Sequence, residues 1–382
     1  MLAIGVMSGT SLDGIDAALV ELFPQGNGYD ARVLRFATLA FPAGLREELL
    51  SLMPPNLAQA GDFARLHHAL GVAFASAAEH VRGDTAVDFI ASHGQTIFHD
   101  GQSHCTWQIG DPFIVRERLG VSVCYDFRSG DTASSGYGAP LVPYIDWLLL
   151  RSDEESRVAV NIGGIANVTS LPRAAQRDDV VAFDAGPGVM LLDAFIHERT
   201  NGARRYDHDG QVARRGVVHA QALATMLGHP YFSRSAPKTT GREQFGEAFR
   251  RSYEAVLRQL TLEDGCATLA ALTATVVADA IQRYAPGARR VICSGGGIHH
   301  APLMQMLQER LHEVPVETTM AFGIDPDAKE ALAFAVLGYE TLRGRTANIP
   351  TATGAQRAVP LGAIAPLDLH VLRKKMEIEC RE

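Results

Sequence analysis

Two stretches of this chain are written in the same grammar. LAIGVMSGTSLDGIDAALVEL, residues 2–22, is an apolar strand, a turn built from glycine, hydroxyl residues and aspartate, and a second strand. VAVNIGGIANVTSL, residues 158–171, repeats that order around a Gly-Gly turn flanked by asparagines. Their identity is low, but the sequence of chemistry is shared, and we read them as a weak internal duplication of one strand–turn–strand device. A chain that opens each half this way is constrained to build two related units, each with its own core. Its 382 residues are enough for two domains of ordinary size. The charged stretch RSDEESR, 151–157, marks the break. The expected first lobe is 1–150, joined by part of the C-terminal segment 345–382, and the second is 151–344.

Between these landmarks helix follows strand repeatedly, which predicts an α/β layer architecture. Alanine and leucine recur at helical spacing over 59–82, and VDFIASH, 87–93, reads as a strand. Helical patterns follow at 112–118, 219–227, 243–259, 266–284 and 327–342. The Gly/Thr/Ala/Pro-rich stretch 344–366 reads as loop, and the charged tail from Arg373 as exposed or frayed.

Charge and cysteine usage exclude some functions. Only 20% of residues are charged and the net charge is −8, so the clustered Lys and Arg of a general nucleic-acid binder are missing. The five cysteines, at 105, 124, 266, 293 and 380, are odd in number and lack ligand-like spacing, which predicts reduced thiols in a cytoplasmic protein. No signal peptide and no uninterrupted apolar span are read, so no membrane partner is expected.

The turns carry the chemistry. In Gly9-Thr10-Ser11-Leu12-Asp13-Gly14, small residues let the backbone bring several N–H groups to one point, and the hydroxyls add donors to an anion. The stretch lacks both a P-loop ending and the GxGxxG spacing, and it runs into a strand through Ile15. It can hold terminal phosphates, with Asp13 or Asp16 beside a hydrated divalent cation, or be an ordinary hairpin with an Asx turn. Asn161, Gly163 and Gly164 form the second such turn, and the pair could clasp a polyphosphate from both sides. Asp184, in FDAGPG at the end of an apolar strand, can serve as general base or cap the helix that follows. Gly295, Gly296 and Gly297 end another strand and permit close approach by a base or ribose, or simply turn the chain. Glu330 can reach ribose hydroxyls or be solvated, and Lys238 can face a phosphate or be structural. Asp126, Arg128 and Asp131, with His93 in SHGQT, suit sugar hydroxyls and a carboxylate substituent. His93, His99 and His104 do not have metal-ligand spacing.

Taken together, MSGTSLDGIDAALV, SHGQTIFH, QIGDPFIVRERLG, DFRSGDTA, GAPLVP, NIGGIANVT, FDAGPG, PKTTGRE and SGGG resemble the anhydro-N-acetylmuramic acid kinases, from about residue 4 to about residue 340. The resemblance implies the two-lobed actin-like ATPase fold, ribonuclease H-like in each lobe, with nucleotide in the interlobe cleft. It implies that ATP, with Mg²⁺, phosphorylates O6 of 1,6-anhydro-N-acetylmuramic acid while water opens the anhydro bridge, a step of peptidoglycan recycling. Asp184 matches the family's base, Gly9 to Asp16 its ATP phosphate loop, with Asp13 at the metal, and Gly295 to Gly297 its nucleoside side. A homodimer is also implied, with 189–197 one possible contact. The chain has FDAGPGV for the family's FDTGPGN, SSGYGAPL for GGQGAPL and GGGIHH for GGGxHN, so Ala185, Val189, Ser135, Tyr137 and His300 are departures. A conventional sugar kinase and a non-catalytic nucleotide sensor of the same fold are the competing expectations.

Overall fold

The computed structural model describes residues 1–9, 12–25, 28–53, 56 and 58–379, so Thr10 and Ser11 lie outside the described residues. The chain divides into two compact units, Met1–Ile145 with Ala328–Glu382, and Asp146–Asp327.

The first unit is built on a seven-stranded sheet. β1 (Leu2–Ser8) and β2 (Ile15–Gln25) form the expected antiparallel hairpin, and β3 (Gly28–Leu39) extends it. On the other side of β1 lie β4 (Phe89–Asp100) and β6 (Ser122–Tyr125), both parallel, and the sheet closes with the short strand Ala363–Ala365. β5 (Cys105–Ile109) folds back on the end of β4. β1 is buried along almost its whole length, as a central strand covered on both faces must be. The helices Ala60–Arg82 and Lys329–Leu342 both pack on it.

The second unit repeats the plan. β7 (Arg157–Ile162), β8 (Ile165–Leu171) and β9 (Val181–Pro187) are consecutive antiparallel neighbours, and β10 (Arg290–Ser294) and β11 (Val316–Thr318) add in parallel beyond β7. The order β11-β10-β7-β8-β9 matches β6-β4-β1-β2-β3 strand for strand and direction for direction. Each unit therefore has the ribonuclease H-like order, and two of them in one chain make the actin-like ATPase fold class. Val158, Val160 and Ile162 are fully buried on β7, each worth about 1.5–3 kcal/mol in apolar transfer.

Four expectations need correction. Residues 328–344, assigned to the second lobe from sequence, pack with the first unit. The reason is steric: a Cβ at Gly5 would fall 1.8 Å from the Ala331 carbonyl oxygen, and one at Gly338 would fall 2.7 Å from Ala91 Cβ, so the helix lies against the first sheet at glycine distance. The helix Leu262–Tyr284 does reach the length and apolarity of a membrane span, but 89% of that window is buried inside the second unit. It is apolar all round because it is a core helix. The pattern over 243–259 breaks into three short helices, with Gly246 and Tyr253 at the breaks. Finally, the tail forms the helix Leu369–Glu379, pinned by buried Leu372 and Met376 and by Lys375 donating to Asp88 at 2.6 Å.

Candidate active site

In the second unit three glycine turns meet at one end of the sheet, outside the carboxyl ends of the parallel strands β7 and β10, where α/β folds carry ligands. Gly188 N–H donates to the Gly164 carbonyl at 2.8 Å and Val189 N–H to the Gly163 carbonyl at 2.9 Å, tying the Gly-Pro-Gly turn to the Gly-Gly turn. A Cβ at Gly188 would stand 2.0 Å from Gly163 O. Gly295, at φ 82°, sits where a Cβ would meet Asn161 Oδ1 at 2.6 Å, and a Cβ at Gly297 would meet Ile162 Cγ2 at 2.3 Å. Ser294 Oγ donates to Asn161 Oδ1 at 3.3 Å. Gly164 and Gly296 are the exposed members of this cluster. The departure at His300 is also accounted for locally. Its Nδ1 accepts from Leu303 N–H at 3.2 Å to cap the next helix, so its Nε2 carries the proton that faces buried Asp207 at 3.2 Å.

Asp184 stands on β9 after buried Ala182 and Phe183, directly opposite Asn167 and next to a bulge in β9 at Ala185. Its Oδ1 accepts from Asn167 Nδ2 at 3.2 Å and its Oδ2 from Thr240 N–H at 2.8 Å. The main chain is held as well: Asp184 N–H donates to Lys238 O at 3.0 Å, and Tyr231 Oη donates to Asp184 O at 2.8 Å. A half-buried carboxylate is thereby gripped on both oxygens and at both ends of its peptide unit. Behind it Lys238 donates to Tyr231 O at 3.3 Å and lies 4.5 Å from the centre of the Tyr231 ring. Burial pushes the Lys238 ammonium down to about 8, Arg283 and Arg234 add to this, and Asp184 opposes them. Asn167, Thr240 and Tyr231 were not singled out from sequence as partners of Asp184. Asn167 sits in the mirrored NIGGIAN pattern, which is the one signal that pointed to it.

In the first unit the turn after β1 is closed by Ser8 Oγ donating to Gly14 O at 3.0 Å. Gln95 Nε2 donates to Gly9 O at 3.3 Å, and Arg46 Nε to Leu12 O at 2.8 Å. Leu12 and Ile15 bury their side chains in the core, so only their main chain can meet a ligand, which narrows the expectation for both. Asp16 accepts from Thr38 Oγ1 at 2.6 Å, whereas Asp13 is exposed.

His93 is buried on β4. Its Nδ1 donates to Gly94 O at 3.0 Å and its Nε2 accepts from Arg128 Nε at 3.0 Å, which fixes a neutral tautomer. Burial, and then the Arg128 charge, hold its pKa well below the usual value. Arg128 also donates to Gly138 O at 2.7 Å, and burial brings its pKa down to about 10 against the opposing charges of Glu330 and Asp131. Glu330, read from sequence with the ribose, belongs to the first unit and lies in the field of Arg128. The reading of Asp131 as a ligand contact needs correction. Asp131 is fully buried and accepts from Gly138 N at 2.8 Å and from Asn348 and Thr353, each at 2.7 Å, so it braces the loop rather than facing a ligand. His93 and Asp126 do line a pocket of about 220 Å³, with Ser92, His67, Trp107 and Gln108. Among the described residues no group of three or more His, Cys, Asp or Glu could hold a metal ion.

A family model described as anhydro-N-acetylmuramic acid kinase matches residues 1–367. A protein of that name from Streptomyces avermitilis is 42% identical over 374 residues, covering 96% of this chain and 94% of its own. Another from Thiobacillus denitrificans is 42% identical over 368 residues, covering 95% of this chain and 96% of its own. Among solved structures, a ROK family glucokinase from Streptomyces griseus in complex with glucose and AMPPNP matches with a TM-score of 0.42 and 12% identity, over 89% of this chain and 100% of its own.

Proposed function

The chain belongs to the anhydro-N-acetylmuramic acid kinase family, and from there we propose that it phosphorylates O6 of 1,6-anhydro-N-acetylmuramic acid with ATP while water opens the anhydro bridge. The products are N-acetylmuramic acid 6-phosphate and ADP, and the setting is cytoplasmic recycling of cell-wall sugar. The observation that carries the mechanism is the grip on Asp184 by Asn167 and Thr240, which holds a strand-end carboxylate beside the glycine turns.

Bond by bond, the oxygen of water attacks C1 as its proton passes to Asp184. The C1–O6 bond breaks, and O6 takes the γ-phosphoryl group as the bond to ADP breaks. The strained bridge is spent in the same event, and O6 is never released as a free alkoxide. Phosphoryl transfer asks chiefly for alignment and charge neutralisation. In the second unit the exposed Gly164 of the Gly-Gly turn suits a phosphate, and the open side of Gly296 suits a nucleoside. Mg²⁺ would neutralise phosphate charge, and one exposed carboxylate such as Asp13 suits an ion that keeps most of its waters. Arg128, a half-buried guanidinium aimed by His93, fits the lactyl carboxylate of the sugar. We also propose a homodimer; the apolar residues of 189–197 that suggested a contact there, Leu191, Leu192, Phe195 and Ile196, are buried in the core of the second unit and do not supply that surface.

An ADP-release assay with 1,6-anhydro-N-acetylmuramic acid, its ring-opened counterpart and simple hexoses tests the substrate. ADP release dependent on the anhydro-sugar is expected. Equal release with hexoses would instead favour a conventional sugar kinase, and nucleotide binding without sugar-dependent release would favour a sensor. Removing one grip on the base gives a graded effect. Asn167→Ala is expected to lower kcat about 10–100-fold with the KM for ATP unchanged, because the carboxylate stays but its aim loosens. Steady-state kinetics in both substrates read this directly.

A further inference from the structure

Ser92 lies near the carboxyl end of β4, paired with Val6 on one side and Tyr125 on the other, and is 2% exposed. Its hydroxyl has no hydrogen-bond partner among the described residues. A buried polar group left unpaired is costly, so such a group asks for an explanation. The other strand-end serines are satisfied: Ser8 Oγ donates to Gly14 O at 3.0 Å, and Ser294, on the topologically equivalent strand β10, donates to Asn161 Oδ1 at 3.3 Å.

Ser92 also lines the pocket of about 220 Å³ in the first unit, and the groups around it have the chemistry of a pyranose site. Trp107 stands 49% exposed at its edge and offers an indole face. Asp126 uses Oδ1 to accept from Ser129 N–H at 3.3 Å and Oγ at 2.6 Å, which leaves Oδ2 for a hydroxyl. His67 Nδ1 accepts from Gly110 N–H at 3.1 Å, so its Nε2 carries a proton it can donate. An apolar face with a few convergent polar groups is how small-molecule pockets fix orientation.

We propose that Ser92 is a substrate-contacting residue, its hydroxyl completed by a hydrogen bond to a ring substituent of the pyranose held in this pocket. The proposal rests on the sugar-kinase reading above and adds to it a residue for which the fold itself has no use.

Ser92→Ala separates this role from a structural one. The hydroxyl has no internal bond to lose, so the variant is expected to melt at the same temperature as the parent or higher. Its affinity for 1,6-anhydro-N-acetylmuramic acid, by calorimetry without nucleotide, should fall about tenfold, while the KM for ATP stays unchanged. Sugar affinity within twofold of the parent overturns the proposal, and so does a lowered melting temperature with sugar affinity intact. If Ser92→Ala does not fold, Ser92→Cys keeps the volume with a poor hydrogen-bonding group, and the same outcomes apply. If the parent turns over no anhydro-sugar, the proposed function fails separately. Titration with N-acetylmuramic acid then decides: binding weakened in Ser92→Ala supports the proposal, and equal or absent binding overturns it.

Discussion

Asp184→Asn is expected to lower kcat by about 10³–10⁴-fold and to leave ATP affinity within about twofold of the parent. The change keeps the size of the side chain and removes its ability to take a proton from water. It also disturbs the grip. Asn167 Nδ2 and Thr240 N–H both donate to the present carboxylate, and an amide has one oxygen with which to accept from them. One donor would then face an NH₂ group, at a cost to stability of about 1 kcal/mol. A loss confined to turnover marks a catalytic base, whereas an equal loss of ATP binding would mark a residue that shapes the nucleotide site. Pre-steady-state kinetics with a nucleotide-binding titration distinguish the two.

Gly188→Ala is expected to destabilise the second unit by about 3 kcal/mol or more, a fall in its melting temperature on the order of 6–12 °C. The added Cβ would stand 2.0 Å from the Gly163 carbonyl oxygen and 3.1 Å from the Ile165 carbonyl carbon. Both are main-chain atoms, so no side chain can rotate away. The turn must shift, and with it go the bonds from Gly188 N–H to Gly164 O and from Val189 N–H to Gly163 O. Gly296→Ala is the internal control, because a Cβ there meets nothing within 4 Å. It should melt within about 0.5 kcal/mol of the parent, which would show that the cost comes from the close approach and not from losing a glycine.

The hairpins at both ends of the duplication were legible because their information is local. Glycine, asparagine and alternating apolar residues declare a strand–turn–strand wherever the strands end up. Asp184 could be read for the same reason, as an acid closing an apolar strand. Its partners could not. Thr240 arrives from 56 positions along the chain, and Asn167 comes into register only through a bulge that no periodicity announces. The Lys329–Leu342 helix was recognised as a helix, but nearly every face of it is apolar, which says that it is buried and not against which sheet. Glu330 travels with that helix into the first unit, where its charge acts on Arg128. Asp131 illustrates a different limit: a carboxylate in a polar loop looks like a ligand contact until Asn348 and Thr353 are seen to use it. The last helix was missed for its charge, although Leu372 and Met376 already stood four apart, one helical turn, on what became its buried face.

The most direct test of coupled ring opening is mass spectrometry of the product formed from 1,6-anhydro-N-acetylmuramic acid and ATP in ¹⁸O-water, sampled within the first turnovers before the hemiacetal exchanges. One labelled oxygen at C1 and a phosphate on O6 are expected, because water must enter where the bridge leaves. A phosphorylated product that keeps its anhydro bridge, or an opened one without label at C1, would contradict the role given to Asp184.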